Sequence, residues 1–209
     1  INGKVQSLVY PSWHSSGRFI AFSMNQTKQA FHQNDRNRIE VFDFSSDVVV
    51  YDLERDAVLT DSLLMKQTAF ETFPAFSPDG KKLYFCSAEA KTLPYEFDQV
   101  KYSLCSIDFD AESRSFGTQV DTLYNGRLKN KSVSFPRVSP DGRFLVFTLS
   151  SYGNFSIWHK DADLMMVDLK TGQVSELEGV NSNDVESYHS WSSNGHWLVF
   201  SSRRVDGLY

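Results

Sequence analysis

The chain has 209 residues, enough to bury a sizeable hydrophobic core. Aromatic residues make up 14% of it, 17 of them Phe, and helix-favouring runs are scarce, so the composition leans towards strands. The formal charge of −5 is spread without a basic block, which disfavours a nucleic-acid groove or an anionic-membrane patch. No apolar stretch approaches the roughly 20 residues that cross a bilayer as a helix, so the chain is not expected to be membrane-embedded. Ile1 opens the sequence without a Met or a basic segment, so no signal peptide is expected in it.

In chain order, the first predicted element is a hairpin from Tyr10 to Ser23, turning at Ser16-Gly17. A long polar connection, Met24–Asp47, leads to a third strand that ends in Tyr51-Asp52-Leu53, and a weaker fourth is predicted over Val58–Leu64. The same order recurs from Phe73, through Ser77-Pro78-Asp79-Gly80, to a third strand at Leu104–Phe109 and a fourth at Gln119–Leu123. It recurs again from Phe135, through Ser139-Pro140-Asp141-Gly142, to strands at Leu164–Leu169 and Val174–Leu177. A last hairpin runs from Tyr188 through Asn194-Gly195 to Phe200.

Each hairpin shows one frame: an aromatic residue, six others, a glycine, and an aromatic five positions beyond it. The glycines, Gly17, Gly80, Gly142 and Gly195, stand 63, 62 and 53 residues apart. Ser-Pro-Asp-Gly has a mechanical meaning: Pro presets φ, Asp bonds the turn backbone, and Gly accepts a positive φ. Two short apolar runs around such a turn read as a hairpin. Four antiparallel strands per repeat make the blade of a propeller.

The fold class expected is therefore all-β: a β-propeller of four-stranded antiparallel blades. The chain is read as a single segment, 1–209, with blades over 8–66, 71–126 and 133–180 and a half-blade over 185–209. An aromatic-Pro-x-aromatic-Ser-Pro-Asp-Gly-Lys/Arg run followed by a Phe-terminated strand resembles the TolB-like, WD40-like (PD40) β-propeller repeat family. The resemblance implies a ring of six or more blades, of which three and a half lie here. It also implies a periplasmic or otherwise extracytoplasmic place, while a fold that carries many activities leaves the binding or scaffold role to be read from the loops. Self-association of two arcs is the alternative way to close the ring.

Strand directions divide the connections between two faces. Turns from the first strand to the second, and from the third to the fourth, are short and share one face. Connections from the second strand to the third are long: Met24–Asp47, Ala88–Lys101 and Ser150–Asp163. They share the other face with Lys66–Thr72, Asn125–Ser134 and Gly179–Ser187. Long loops on a rigid scaffold are where binding residues are usually carried. The candidates there are Arg36 and Arg38 as forks for carboxylate or carbonyl groups, with Tyr95, Tyr152, Trp158 and His159 as contact residues. Near the channel mouth, Glu71, Glu186, Arg137 and His189 would be drawn by radial repetition towards one axis.

Cys86 and Cys105 fall on neighbouring strands of one sheet and are read as free thiols rather than a bridge. His14 and His196 lie near the short-turn face and are read as surface or turn residues. His32, His159 and His189 reach the loop face without metal-ligand spacing. No Gly-x-Ser-x-Gly elbow is present, Asp79-Gly80 and Asp141-Gly142 do not fit a sialidase Asp box, and no haem-attachment motif occurs. The expectation is a non-catalytic module without a cofactor that presents its loop face to a protein or peptide partner. The alternatives are a metal-assisted, oligogalacturonate-like polysaccharide lyase or hydrolase, and the regulatory propeller of a peptidase.

Overall fold

The computed structural model describes residues 7–31, 39–205 and 207. Strands β1 (Leu8–Trp13), β2 (Phe19–Phe31), β3 (Ile39–Asp52) and β4 (Ala57–Leu59) form a first antiparallel sheet in that order. Strands β5 (Ala69–Phe76), β6 (Lys82–Glu89), β7 (Ser103–Asp110) and β8 (Ser115–Tyr124) form a second. A third holds β9 (Ser132–Val138), β10 (Phe144–Ser150), β11 (Asp163–Asp168) and β12 (Val174–Glu176). Strands β13 (Glu186–Trp191) and β14 (Leu198–Ser202) pair alone. The chain is thus an all-β propeller arc, with one short α-helix, α1 (Gly126–Lys129), and 3-10 turns at Phe97–Gln99 and Ser156–Trp158 among the described residues.

The turn chemistry is that of the repeat. Gly80 N–H donates to Ser77 O at 2.9 Å, Lys81 N–H donates to Asp79 Oδ1 at 3.1 Å, and Gly80 takes φ +73°. Asp141 and Asn194 accept the matching bonds from Arg143 and His196, each at 3.1 Å. In the first turn Ser16 Oγ replaces the acid, accepting from Arg18 N–H at 3.2 Å. His14 is not the surface or turn residue expected. It occupies the position of Ser77 and Ser139, is 6% exposed, and donates from Nε2 to Gly80 O of the next blade at 3.1 Å. Ring edges against Phe19, Phe76 and Phe109 enclose it, and burial lowers its pKa.

The innermost strands begin earlier than their aromatic residue. Each carries a register irregularity there, between Val9 and Ser12, Thr72 and Ala75, Ser134 and Arg137, and Glu186 and His189. Tyr10, Phe73 and Phe135 sit at φ 54°, 54° and 52°, which only a bulge makes tolerable for a side chain of this size. The bulge turns the rings towards one another: Tyr10–Phe73 at 4.3 Å, Phe73–Phe135 at 4.4 Å and Phe135–Tyr188 at 6.1 Å between centroids. A row of aromatics therefore links all four inner strands.

The core lies between blades. On β6, Leu83 and Phe85 face the first sheet with Phe19, Val48, Val50 and Ile107, while Tyr84 and Cys86 face the third with Leu104, Leu145 and Phe147. Both faces of the strand are covered, so it reads as a continuous apolar run rather than an alternating one. Each fully buried side chain of this size contributes roughly 1.5–3 kcal/mol. The register places Phe85 opposite Cys105 and Cys86 opposite Leu104. The two cysteines thus lie on adjacent strands but on opposite faces, both buried and free.

The described residues of the stretch from Met24 to Asp47, 24–31 and 39–47, are strand rather than loop. β2 and β3 stay paired well beyond the body of the blade, from Asn25 opposite Ser46 to Phe31 opposite Ile39, with a bulge between Asn25 and Thr27. A projecting two-stranded ribbon is solvated on one side, so its many Asn, Gln, Thr and Lys residues look like a loop in sequence. The candidates Arg36 and Arg38, and His32, lie outside the described residues. The fourth strand of the first blade ends at Leu59; a turn follows, with Leu63 N–H bonded to Asp61 Oδ1 at 2.8 Å and Leu64 fully buried.

Candidate functional site

Strand pairing puts the ribbon and the other long connections on one face, and there they are knitted together. Asp43, 2% exposed on the ribbon, accepts from Asn25 Nδ2 at 2.7 Å, Thr27 Oγ1 at 2.5 Å and Asn154 Nδ2 at 2.5 Å. Asn154 belongs to the third blade, so this carboxylate ties blade one to blade three. Burial raises the Asp43 pKa, and the three hydrogen bonds pull it back. Glu40 does the same three residues away: Tyr152 OH donates to its Oε1 at 2.6 Å, and His159 Nε2 lies 3.7 Å from its Oε2.

The other loops close round this pair. Gly153 N–H donates to Val100 O at 2.9 Å, Tyr102 N–H to Ser132 Oγ at 3.0 Å, and Lys101 Nζ reaches Ser151 O. The rings of Phe42 and Phe97 approach to 6.4 Å, and Tyr152 packs on Phe97 and His159 at 5.5 and 4.4 Å. What remains between them is a cavity of about 10 Å³, no larger than one water requires. The rim is therefore a single preorganised body rather than a set of independent loops.

This arrangement sorts the candidates. Tyr152 and His159 face inward as part of the seam, and His159 Nδ1 is buried without a hydrogen-bond partner. Tyr95 is 84% exposed and Trp158 37%, the latter with the Arg203 guanidinium 5.7 Å from its ring centre. Glu71 and Glu186 are fully buried. Each stands opposite a serine of the second strand, Ser87 and Ser202, and bonds it at 3.4 and 2.6 Å. Glu186 also accepts from Ser182 N–H at 2.8 Å and pairs with Arg204 at 3.1 Å. The two acids thus anchor the connection that precedes their own blade.

Glu71 has a different balance. Burial pushes its pKa up to about 7, against the nearby Lys66 charge and a backbone hydrogen bond, and its Oε2 has no partner. Arg137 lies beside Tyr188, 6.0 Å from the ring, and its Nη1 bonds Pro136 O at 3.2 Å. His189 is fully buried; Ser187 O and Val146 O stand 2.9 and 3.1 Å from its two nitrogens. Two acceptors favour the imidazolium, but desolvation outweighs them and lowers the pKa to about 4. The neutral ring donates to one of the two carbonyls, and its other nitrogen faces the second carbonyl oxygen, so neither nitrogen points into open space. Among the described residues, no three His, Cys, Asp or Glu side chains stand together as a metal site.

The seam residues Asn25, Glu40, Asp43 and Asn154 were not recognised in the sequence. One signal was there: acids at Glu40 and Asp43 interrupt a run of strand-forming Val and Phe residues.

No family model matches the sequence, and no curated protein matches it. Solved structures match the fold. A TolB-like protein from Agrobacterium tumefaciens superposes with a TM-score of 0.55 at 16% identity, over 95% of this chain and 60% of that one. Prolyl oligopeptidase B from Galerina marginata gives 0.57 at 12%, over 98% and 26%. A puromycin-hydrolyzing peptidase from Mycobacterium tuberculosis gives 0.54 at 13%, over 88% and 23%. The chain spans less than two thirds of each of these proteins. At such identities the likeness defines the class of protein, a β-propeller, and nothing narrower.

Proposed function

We propose that the chain is the binding or scaffold part of a TolB-like propeller, non-catalytic, which presents its long-loop face to a protein or peptide partner. The observation that carries this reading is the knitted rim: Glu40 and Asp43 lock loops of different blades, while Tyr95 and Trp158 remain exposed beside them. Rigid surroundings lower the entropy lost on binding, and exposed Tyr and Trp supply contact area at small conformational cost. Glu40, Asp43 and Glu186, buried acids of this face, are held by structural partners, which supports a binding role for them over a catalytic one. An extracytoplasmic location is part of the proposal, on the repeat resemblance alone.

The test is affinity capture from native envelope extract with two baits, the wild type and a Tyr95→Ala/Trp158→Ala variant of equal thermal stability. A protein captured by the first, cross-linked to the rim and lost by the second supports the reading. Equal capture by both baits, or cross-links confined to the short-turn face, overturns it.

A further inference from the structure

Beside the rim, a groove of about 560 Å³ opens over the long-loop end of the second blade. Its charge is opposite to that of the chain. Lys66, Lys91, Lys101 and Arg127 line it with a single carboxylate, Glu89, in a protein whose formal charge is −5. The cations come from separate segments. Lys66 lies in the connection that enters the blade, Arg127 in the one that leaves it, and Lys91 and Lys101 in the long connection from β6 to β7. No local sequence pattern announces them; the blade gathers them.

Two of the four are already engaged. Lys91 pairs with Glu89 at 3.0 Å, and Lys101 Nζ holds Ser151 O, with Asp98 and Asp161 close enough to support its charge. Lys66, whose charge also acts on the buried Glu71, and Arg127 form no ion pair within 4.0 Å among the described residues and stand on the two flanks of the blade. Ala69, Ala88 and Val120 supply apolar surface between them, and Gln99, Asn125 and Thr122 supply amide and hydroxyl groups. None of the lining residues is aromatic, so a sugar ring would find no flat apolar plate to lie against. An extended peptide needs no such plate: its backbone meets the amides and hydroxyls, and its carboxylates meet the cations.

We infer that this groove receives an acidic peptide segment, with Lys66 and Arg127 taking its carboxylates. The inference rests on the partner-binding reading of this face and names the chemistry of the segment bound.

The test is fluorescence anisotropy with labelled hexaglutamate, read from about 0.02 M to about 0.3 M salt, where screening shortens from tens of ångströms to a few. The wild type is expected to bind at low salt and to weaken steadily as salt rises. Lys66→Glu/Arg127→Glu should bind at least about tenfold more weakly, with Lys66→Gln/Arg127→Gln between the two. Lys170→Glu, on the short-turn face, should bind as the wild type does. Equal binding by wild type and the double charge reversal, or none by a folded wild type, overturns the inference. So does an oligouronate of equal charge that binds the groove more tightly than the peptide. Tyr95→Ala/Trp158→Ala should keep hexaglutamate binding, so failure of the rim proposal and failure of the groove are told apart.

Discussion

Replacing Asp43 by Ala tests whether the rim is one body. The carboxylate accepts from Asn25, Thr27 and Asn154, and both Asn side chains are at least nine-tenths buried. A buried donor left bare costs about 1–3 kcal/mol, and Thr27, nearer the solvent, recovers part of its loss. Against this, the substitution removes the desolvation of a buried acid, whose raised pKa shows that cost. The balance is a loss of about 2–4 kcal/mol, which for a chain of this size lowers Tm by roughly 5–15 °C. Urea unfolding measures the loss, and limited proteolysis should show new cleavage in both the ribbon, 24–47, and the loop 150–163. A variant within about 0.5 kcal/mol of wild type, with the cleavage pattern unchanged, would refute the argument that Asp43 joins the blades.

Glu71 makes stability depend on pH. Its folded pKa, about 7, lies above the ordinary value of 4.5, so its contribution is complete below pH 4.5 and lost as pH rises through 7. Glu71→Gln should therefore match the wild type at pH 4 and exceed it by about 2–3 kcal/mol at pH 8, by urea unfolding at the two values. At Gly80 an added Cβ would stand 2.1 Å from His14 Nε2, at φ +73°. Gly80→Ala should lose roughly 2–4 kcal/mol, and calorimetry that shows less than about 1 kcal/mol would remove the tight junction between blades one and two. Burial raises the Cys105 thiol to about 11 and that of Cys86 well above its usual range. Thiol titration with an aromatic disulfide should find neither cysteine in the folded protein and both in denaturant.

The sequence by itself determined the blade. Tight turns at Gly17, Gly80, Gly142 and Gly195 depend on residues a few positions apart, and so does the strand alternation around them. Local chemistry of that kind is written along the chain and repeats with it. Free thiols are the reading that two cysteines without a disulfide scaffold favour, but only the strand register, which puts Cys86 and Cys105 on opposite faces, separates them.

Other features needed the assembled arc. His14 looked like a surface residue because its partner, Gly80, lies 66 positions away in the next blade. The ribbon looked like a loop because its pairing is held by Asp43 and Glu40, whose partners Asn154 and Tyr152 are more than 100 residues distant. Radial repetition in the sequence draws Glu71 and Glu186 towards one axis; the structure adds that each is bonded to a serine of its own blade. Repetition sets where a backbone goes, but a buried charge goes to the hydrogen bond that offsets its desolvation, and only tertiary packing decides which one is in reach.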